Sequence, residues 1–370
     1  MVAQRNTLLK NFTPGEDHIY EQGFLFAPFR ETENVQRVII RSDIFCDADK
    51  LPEPNFAVEQ VRIGTPVYKQ RLKPQKKAAF KNYVRTIRKQ IRKGSFQKIV
   101  AARVAKKKKP ENFSAPAFFT ALCEKYPNAF VSLVYTQEYG LWIGASPEIL
   151  LEVNATGFKT YSLAGTKANT QWNNKTAWGE KEKEEQEIVT RYITNAFAAV
   201  TKTEAKITGP ETIEAGNLLH LRTTFLYDSI PHFNWQKVVE QLHPTPAVAG
   251  LPKGESIKFI TEHEKFERGF YSGFLGPVNL DEEINLFVNL RCMKVLKSKL
   301  ALFVGCGITA DSKPSKEWTE SRIKTQTLLS VLQPKTELNV SKNIASLPPD
   351  ANSEERGTTD SGNLQAQGNP

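Results

Sequence analysis

An α+β fold is predicted for this chain, because short strand-like and helix-like segments follow one another without the regular alternation of a doubly wound sheet. The chain has 370 residues, of which 40% are hydrophobic and 24% are charged, as in a soluble globular protein. A chain of this length can bury a large core. Length alone leaves open whether it forms one large domain or two.

The first half of the chain contains one clear helix. Residues 1–75 mix short apolar runs with prolines and carry no chemical signal. In the segment 80–91 the apolar residues recur with a helical period, at Phe80, Tyr83, Val84, Ile87 and Ile91. Gly94 is placed to end that helix. Residues 96–104 are predominantly apolar and predict a strand.

The remaining elements are predicted from the same patterns. Further strands are expected at 130–135, 141–144, 149–153, 160–163, 287–295 and 300–304. Helices are expected at about 176–200 and 315–332. The chain turns polar from Pro334, and residues 348–370 have almost no apolar side chains, so we expect a disordered tail at 336–370 after a catalytic domain at 1–335.

The spacing of the cysteines and the length of the apolar runs indicate the cellular compartment. Cys46, Cys123, Cys292 and Cys306 are far apart and include no Cys-x-x-Cys pair, which argues against a disulfide framework or a zinc site. No segment has the pattern of a signal peptide or about 18 uninterrupted apolar residues. A cytoplasmic protein without membrane contact is therefore expected.

The net charge of +10 raises the question of a nucleic-acid partner. Four consecutive lysines occupy 106–109, but they directly precede Pro110, as at an exposed strand end. No aromatic-interleaved or finger motif accompanies them. We interpret the charge as a solvated face, or as steering for an anionic substrate, and predict no nucleic-acid partner.

A glycine-rich turn and the helix after it form the most informative segment. The turn at 305–307 follows an apolar strand, and a helix after it would place Glu317, Glu320 and Lys324 on one face. Backbone amides can bind an anion, and paired carboxylates can hold a divalent cation opposite it. This predicts a carboxylate-bearing substrate bridged by Mg²⁺. An ordinary turn followed by a solvent-exposed ion pair is the alternative.

Two further residues have unusual settings. Lys98 lies in an apolar strand, where it could be an edge lysine facing water or a desolvated general base. Glu148 lies between a turn and an apolar strand, where it could cap the turn or act as a general acid kept protonated by apolar surroundings.

A second acidic pair lies within the charged run 180–187. Glu182 and Glu185 are three residues apart and share a helix face, as Glu317 and Glu320 do. Such a run is usually a solvated face. Two helices that each offer such a pair could nevertheless hold one Mg²⁺ ion between them.

Eight motifs occur in the order found in the chorismate-utilising enzymes, and together they span about residues 80–332. They are FQKIVAAR (96–103), ASPE (145–148), LAGT (163–166), HL (220–221), LHPTPAVAGLP (242–252), ERGFYSG (267–273), LRC (290–292) and GCGI (305–308). The chain thus resembles that family, and the isochorismate synthases most. The resemblance implies a single α+β domain with large, mostly antiparallel sheets flanked by helices.

The resemblance also implies a reaction and residue roles. Water adds at C2 of chorismate while the C4 hydroxyl departs, with Lys98 as the base and Glu148 as the acid. It implies Mg²⁺ between Glu185 and Glu320, supported by Glu182 and Glu317. The positions implied to bind substrate are Gly165, Thr166, His220, Tyr271, Arg291, Gly305, Gly307 and Lys324.

Differences among relatives narrow the expected activity. Anthranilate synthases carry glutamine at the Lys98 position and use a glutaminase partner, so lysine indicates water and no such subunit. Aminodeoxychorismate synthases often carry a nucleophilic lysine where this chain has Ala164. Salicylate synthases, which also expel pyruvate, tend to carry threonine at the Ala247 position. Cys306, where alanine is common, is interpreted as a packing residue.

Several questions stay open at the level of sequence. Menaquinone and siderophore pathways both use isochorismate, and the chain does not distinguish them. The family includes monomers, so a monomer is compatible with the resemblance. A basic, non-catalytic binding protein is the competing hypothesis, and it would require the loss of a catalytic residue. Lys98, Glu148, Glu185 and Glu320 are all present.

Overall fold

Two antiparallel sheets carry most of the described chain in the computed structural model. The structure describes residues 10–11, 22–41, 64–168, 178–201, 203–215, 218–230, 233–280 and 282–332. The strands in these ranges are β1 (Lys10–Asn11), β2 (Gly23–Ala27), β3 (Val38–Ile40), β4 (Lys98–Lys108), β5 (Phe130–Thr136), β6 (Gly140–Ser146), β7 (Ile149–Asn154), β8 (Gly157–Ala168), β9 (Lys206–Ala215), β10 (Leu218–Asp228), β11 (Gly250–Leu251), β12 (Phe274–Leu280), β13 (Glu283–Val288), β14 (Cys292–Val295) and β15 (Lys299–Ile308). The helices are α1 (Lys77–Arg92), α2 (Ala115–Lys125), α3 (Glu180–Ala198), α4 (Trp235–Leu242), α5 (Lys253–His263) and α6 (Pro314–Leu332). The predicted α+β class is confirmed.

The larger sheet, within the described residues, has nine strands in the order β1-β3-β2-β12-β13-β7-β8-β10-β9. The long strand β8 pairs with β10 from Ala168 opposite Leu218 to Gly157 opposite Asp228. The register shifts between Leu219 and Leu221, where Gly165 and Thr166 of β8 lie opposite the single residue His220, and Gly165 has φ of 64°. Such a bulge re-aims side chains relative to their neighbours in the strand.

The smaller sheet has six strands among the described residues, in the order β11-β4-β15-β14-β6-β5. β4 pairs with β15 from Ile99 opposite Ile308 to Lys108 opposite Lys299. The lysine run therefore lies at the far end of β4, where it becomes exposed. This agrees with the strand-end interpretation of that run.

The chain passes twice between the two sheets at short crossings. It leaves β6 of the smaller sheet at Ser146 and enters β7 of the larger sheet at Ile149. It returns between β13 and β14, and at Arg291 the backbone has φ of 48°. That conformation cannot continue a strand. The prediction of one strand at 287–295 is therefore wrong, because the chain changes sheets within it.

Helix α1 confirms the helical period of 80–91. Its apolar residues are buried against Ile99, Ala101 and Ile308 of the smaller sheet. Gly94, directly after the last turn, has φ of 80°, a conformation that favours glycine. The helix thus begins three residues before the predicted segment, at Lys77, and ends at Arg92, two residues before Gly94.

Helices α3 and α6 match the predicted helices at 176–200 and 315–332. The apolar face of α3, with Val189, Ile193 and Phe197, packs in the core of the larger sheet. Helix α6 packs against β15 and α1. Helix α3 thus lies on the larger sheet and helix α6 on the smaller one, and the N-terminal turns of the two helices approach each other.

Some of the predictions concern residues that the structure does not describe. Cys46, the boundary at residue 335 and the polar tail at 336–370 lie outside the described residues, so they stay predictions. No helix in the described ranges is long and apolar enough to span a membrane. Strands β9 to β12 and helices α2, α4 and α5 were not predicted from the sequence.

Candidate active site

A cavity of about 70 Å³ lies where the chain crosses between the sheets. Glu148 from the first crossing and Arg291 from the second both line it. The predicted residues that line this cavity are Lys98, Glu148, Gly165, Thr166, Glu185, His220, Tyr271, Arg291, Gly305, Gly307 and Lys324.

Lys98 is buried, with 2% of its surface exposed. It pairs with Leu251 of β11, and the flanking amides of Gln97 and Val100 donate to carbonyls of the same segment. The strand is therefore covered at this point, and the alternative of an edge lysine facing water is wrong. Burial lowers the pKa of Lys98 below its usual value, although Glu185 and Glu148 oppose the shift. A lowered pKa suits a lysine for proton abstraction.

Glu148 is buried in the crossing between β6 and β7. Its amide donates to Ser146 Oγ at 3.4 Å, and its carbonyl accepts from the Val288 amide at 2.9 Å. Burial raises the pKa of Glu148 to about 7, although Lys98, Arg291 and Lys324 oppose the shift. The carboxyl can therefore be protonated at neutral pH, as a general acid requires.

His220 links the backbone of β8 to Arg291. Its Nδ1 lies 2.9 Å from the carbonyl oxygen of Gly165, and its Nε2 lies 3.3 Å from Arg291 Nη2. Burial, with Arg291 and Lys324, lowers the pKa of His220 to about 3. A neutral ring then donates from Nδ1 to Gly165 and accepts from Arg291 at Nε2. His220 thereby orients the guanidinium that lines the cavity.

Gly305 and Gly307 of β15 leave room that a side chain would fill. A Cβ at Gly305 would lie 2.8 Å from the Tyr271 hydroxyl, and one at Gly307 would lie 2.8 Å from Lys98 Cε. The second would also lie 3.0 Å from Glu185 Oε2. A side chain at either position would displace the functional ends of these residues, and Gly307 marks where Lys98 and Glu185 come together.

The N-terminal turns of α3 and α6 bring carboxylates together. Lys181 Nζ lies 3.1 Å from Glu185 Oε1 and 3.1 Å from Glu317 Oε1. Glu182, Glu317 and Glu320 border an adjoining open pocket that shares Thr166 with the cavity. We call Glu182, Glu185, Glu317 and Glu320 the carboxylate cluster.

The carboxylate cluster has the features of a cation site. Burial and the neighbouring Glu320 raise the pKa of Glu317 to about 7. Burial alone would raise the pKa of Glu320 as well, but Lys324 and Lys181 lower it. Glu317 Oε2 is buried and accepts no hydrogen bond within the described part of the chain. Hard oxygen donors around an unsatisfied buried oxygen fit a cation such as Mg²⁺.

Gln186 fastens α3 to the larger sheet. Its Oε1 accepts from the Ala164 amide at 2.9 Å. Its Nε2 donates to the carbonyl and the hydroxyl of Ser162 and to Thr223 Oγ1. Glu185 directly precedes Gln186 on α3, so these hydrogen bonds also fix the position of Glu185 at the cavity.

Sequence reasoning missed two residues of this site. Lys181 lies four residues before Glu185, a helical spacing that could have revealed the pair, but its contact with Glu317 depends on the approach of α6. Gln186 stood within the charged run and gave no signal of burial. Both contacts depend on tertiary structure.

Comparison with known proteins gives a family match. The profile of a family described as "Chorismate binding enzyme" matches residues 32–333 of the chain. The matched range contains both sheets except β1 and β2, and all residues described above as lining the cavity.

Two curated relatives are isochorismate synthases. EntC of Escherichia coli K12 is 30% identical over 199 residues, which cover 52% of this chain and 51% of that protein. The vibriobactin-specific enzyme of Vibrio cholerae is 25% identical over 325 residues, covering 83% of this chain and 78% of that protein. The chain spans about half the length of the first relative.

A solved structure has the same fold. The crystal structure of DhbC from Bacillus anthracis aligns with a TM-score of 0.70 over 85% of this chain and 84% of that one. The two sequences are 24% identical, so the likeness concerns the fold alone.

Proposed function

The chain belongs to the chorismate-binding enzymes, and we propose that it is an isochorismate synthase, which converts chorismate to isochorismate. The observation that carries the proposal is that a buried lysine and a buried glutamic acid line one cavity beside a carboxylate cluster. The names of similar curated enzymes support the same activity.

The proposed reaction exchanges one hydroxyl position for another. Lys98 takes a proton from a water molecule, whose oxygen bonds to C2 of the ring. The two double bonds of the ring shift, from C1–C2 to C1–C6 and from C5–C6 to C4–C5, the bond from C4 to its hydroxyl breaks, and Glu148 gives the proton that lets this hydroxyl leave as water. Atoms and charge balance, since one water enters and one leaves. The lowered pKa of Lys98 and the raised pKa of Glu148 support these roles.

The carboxylate cluster would hold Mg²⁺ through Glu185 and Glu320, with Glu182 and Glu317 in support. When bound, the ion would neutralise the ring carboxylate of the substrate and hold the ring in place. Arg291 and Tyr271, with the amides near Gly305 and Gly307, would bind the carboxylate of the enolpyruvyl arm. Gly165, Thr166, His220 and Lys324 would complete the substrate site.

The cavity lining also bears on the competing activities. Ala164 and Ala247 both line the cavity. Ala164 has no amine to form an adduct, which argues against an aminodeoxychorismate synthase. Salicylate synthase remains the second candidate, because it would use the same lysine and glutamic acid and would differ by subsequent loss of pyruvate.

The test is product analysis of chorismate incubated with the full chain and Mg²⁺. We expect isochorismate with little salicylate, and loss of turnover by about 10² to 10⁴-fold in Lys98→Ala and in Glu148→Gln. Both variants should still bind chorismate with Mg²⁺. The exposed Lys183→Ala on α3 is the matched control and should keep wild-type turnover.

Two results would contradict the proposal. Turnover within a few-fold of wild type in either variant would remove that residue from the chemistry. Salicylate and pyruvate in matched amounts from the wild-type chain would establish the second candidate instead.

A further inference from the structure

A cysteine lies beside the carboxylate cluster. Cys306 Sγ and one carboxylate oxygen each from Glu317 and Glu320 all lie within 4.8 Å of one another. Cys306 belongs to β15, between the two glycines that line the cavity. Cys306 and Glu317 are each 1% exposed. Three possible metal ligands thus converge beside the open pocket that Glu317 and Glu320 border, two of them buried and Glu320 partly exposed.

An unsatisfied oxygen points to a missing ligand in this group. Glu317 Oε1 contacts Lys181 Nζ, while the buried Glu317 Oε2 accepts no hydrogen bond from any described residue. Cys306 Sγ donates a hydrogen bond of 3.5 Å to the backbone carbonyl oxygen of Glu317. A buried carboxylate oxygen without a partner is costly. A cation that binds both oxygen and sulfur would satisfy Glu317 Oε2 and could use the neighbouring Cys306 Sγ as a further ligand.

We propose that Cys306, Glu317 and Glu320 form a site for a thiophilic divalent cation such as Zn²⁺, Cd²⁺ or Co²⁺. These ions bind thiolate together with carboxylate, whereas Mg²⁺ takes oxygen ligands. On binding, the thiol releases its proton to solvent and its sulfur bonds to the metal, with no change in oxidation state. A water molecule completes four ligands.

The geometry needs little adjustment for such an ion. Donor atoms about 2.0–2.3 Å from Zn²⁺ lie roughly 3.3–3.8 Å apart in a tetrahedron. The present separations are at most 4.8 Å. The three side chains therefore need to draw together by at most about 1.5 Å. Glu317 and Glu320 are one turn apart on α6, so both oxygens can approach from one side.

This site shares two glutamates with the carboxylate cluster. If the chain is an isochorismate synthase that uses Mg²⁺ there, a thiophilic ion would compete with Mg²⁺ for Glu317 and Glu320 and would inhibit the enzyme. That consequence rests on the proposed function, whereas the binding site itself does not. Cys306 is the residue that would make the site selective for a thiophilic ion, because Mg²⁺ takes oxygen ligands and is not stabilised by sulfur.

The experiment is a titration of the purified full chain with Co²⁺, without chorismate, followed by near-ultraviolet absorbance and calorimetry. We expect one Co²⁺ per chain, with a sulfur-to-cobalt charge-transfer band. Cys306→Ala should lose the band and weaken Co²⁺ binding at least about tenfold, the lower end of what losing an outer contact costs. Its Mg²⁺ affinity should stay unchanged.

Matched variants separate this site from other thiols. Cys292 is equally buried but lies in β14, so Cys292→Ala should keep the band. Cys306→Ser keeps the side-chain volume and should also lose the band. A wild-type chain without the band, or Cys306→Ala and Cys306→Ser chains that retain it, would overturn the proposal. An equal loss of Mg²⁺ and Co²⁺ affinity in both Cys306 variants would overturn it too.

The two proposals fail separately in this design. The titration contains no substrate, so a chain without isochorismate synthase activity can still show the band. Conversely, an active isochorismate synthase that shows no band retains its proposed function and loses only the thiophilic site.

Discussion

Two buried side chains set the expected pH dependence. Glu148 must be protonated to act as an acid, so activity should fall as pH rises through its pKa of about 7. Lys98 must be neutral to act as a base, so activity should fall as pH drops through its lowered pKa. A bell-shaped profile of kcat/KM is therefore expected.

One limb of that profile should lie near pH 7, where Glu148 titrates. Near-ultraviolet circular dichroism measured across the same range should show that the fold persists. A kcat/KM profile without a limb near pH 7 would contradict the role of Glu148.

Lys181 has its own expected effect at the residue scale. Its ammonium lies between Glu185 and Glu317, where it partly balances the carboxylate cluster. A cation entering the cluster must compete with this charge. Lys181→Met should therefore bind Mg²⁺ about tenfold more tightly, or ~1.4 kcal/mol, and should be less stable without metal.

Calorimetric titration with Mg²⁺ measures this effect directly. Lys183→Met is the control, because Lys183 pairs with the exposed Glu180 on the same helix and with no other acidic residue that the structure describes. Equal or weaker Mg²⁺ binding in Lys181→Met would mean that Lys181 supports the metal site and does not oppose it.

At the scale of elements, the placement of α3 depends on one amide. Gln186→Leu would leave the Ala164 amide, the Ser162 hydroxyl and Thr223 Oγ1 without their buried partner. We expect a loss of about 2–4 kcal/mol in the free energy of unfolding. KM for chorismate should also rise, because Glu185 moves with the helix.

Denaturation in urea measures this loss. Glu187→Gln is the neighbouring control, since Glu187 forms an exposed pair with Arg191 on the same helix. This substitution should change stability by less than about 0.5 kcal/mol. A loss in Gln186→Leu no larger than in this control would show that α3 is held by its apolar face alone.

At the scale of the whole molecule, the net charge of +10 should attract a dianionic substrate. The chain has no acidic residue between Glu59 and Glu111, so the positive charge is unevenly distributed. Salt screens such attraction, and kcat/KM for chorismate should fall by roughly tenfold from low to high ionic strength. Turnover at saturating substrate should change little. A kcat/KM that is independent of salt would show that the charge serves another purpose.

The sequence by itself determined the fold class, most elements between residues 77 and 168 and the residues of the cavity. Periodicity identified α1, because its apolar face is regular, and ordered motifs identified Lys98, Glu148 and Arg291. It failed at 287–295, where the apolar pattern runs on although the chain changes sheets at Arg291. An apolar pattern indicates which residues are buried, but it does not indicate against which of the two sheets they pack.

Only the tertiary structure decided which alternatives hold at the site. Lys98 is desolvated because the two-residue strand β11 pairs with β4 and covers it. No local sequence pattern predicts this pairing. Glu317 meets Lys181 because α3 and α6 converge from distant parts of the chain. Cys306 lies near Glu320 because α6, which follows β15 directly, packs back against that strand. Local sequence sets the spacing of side chains along one element, whereas distances between elements follow from packing.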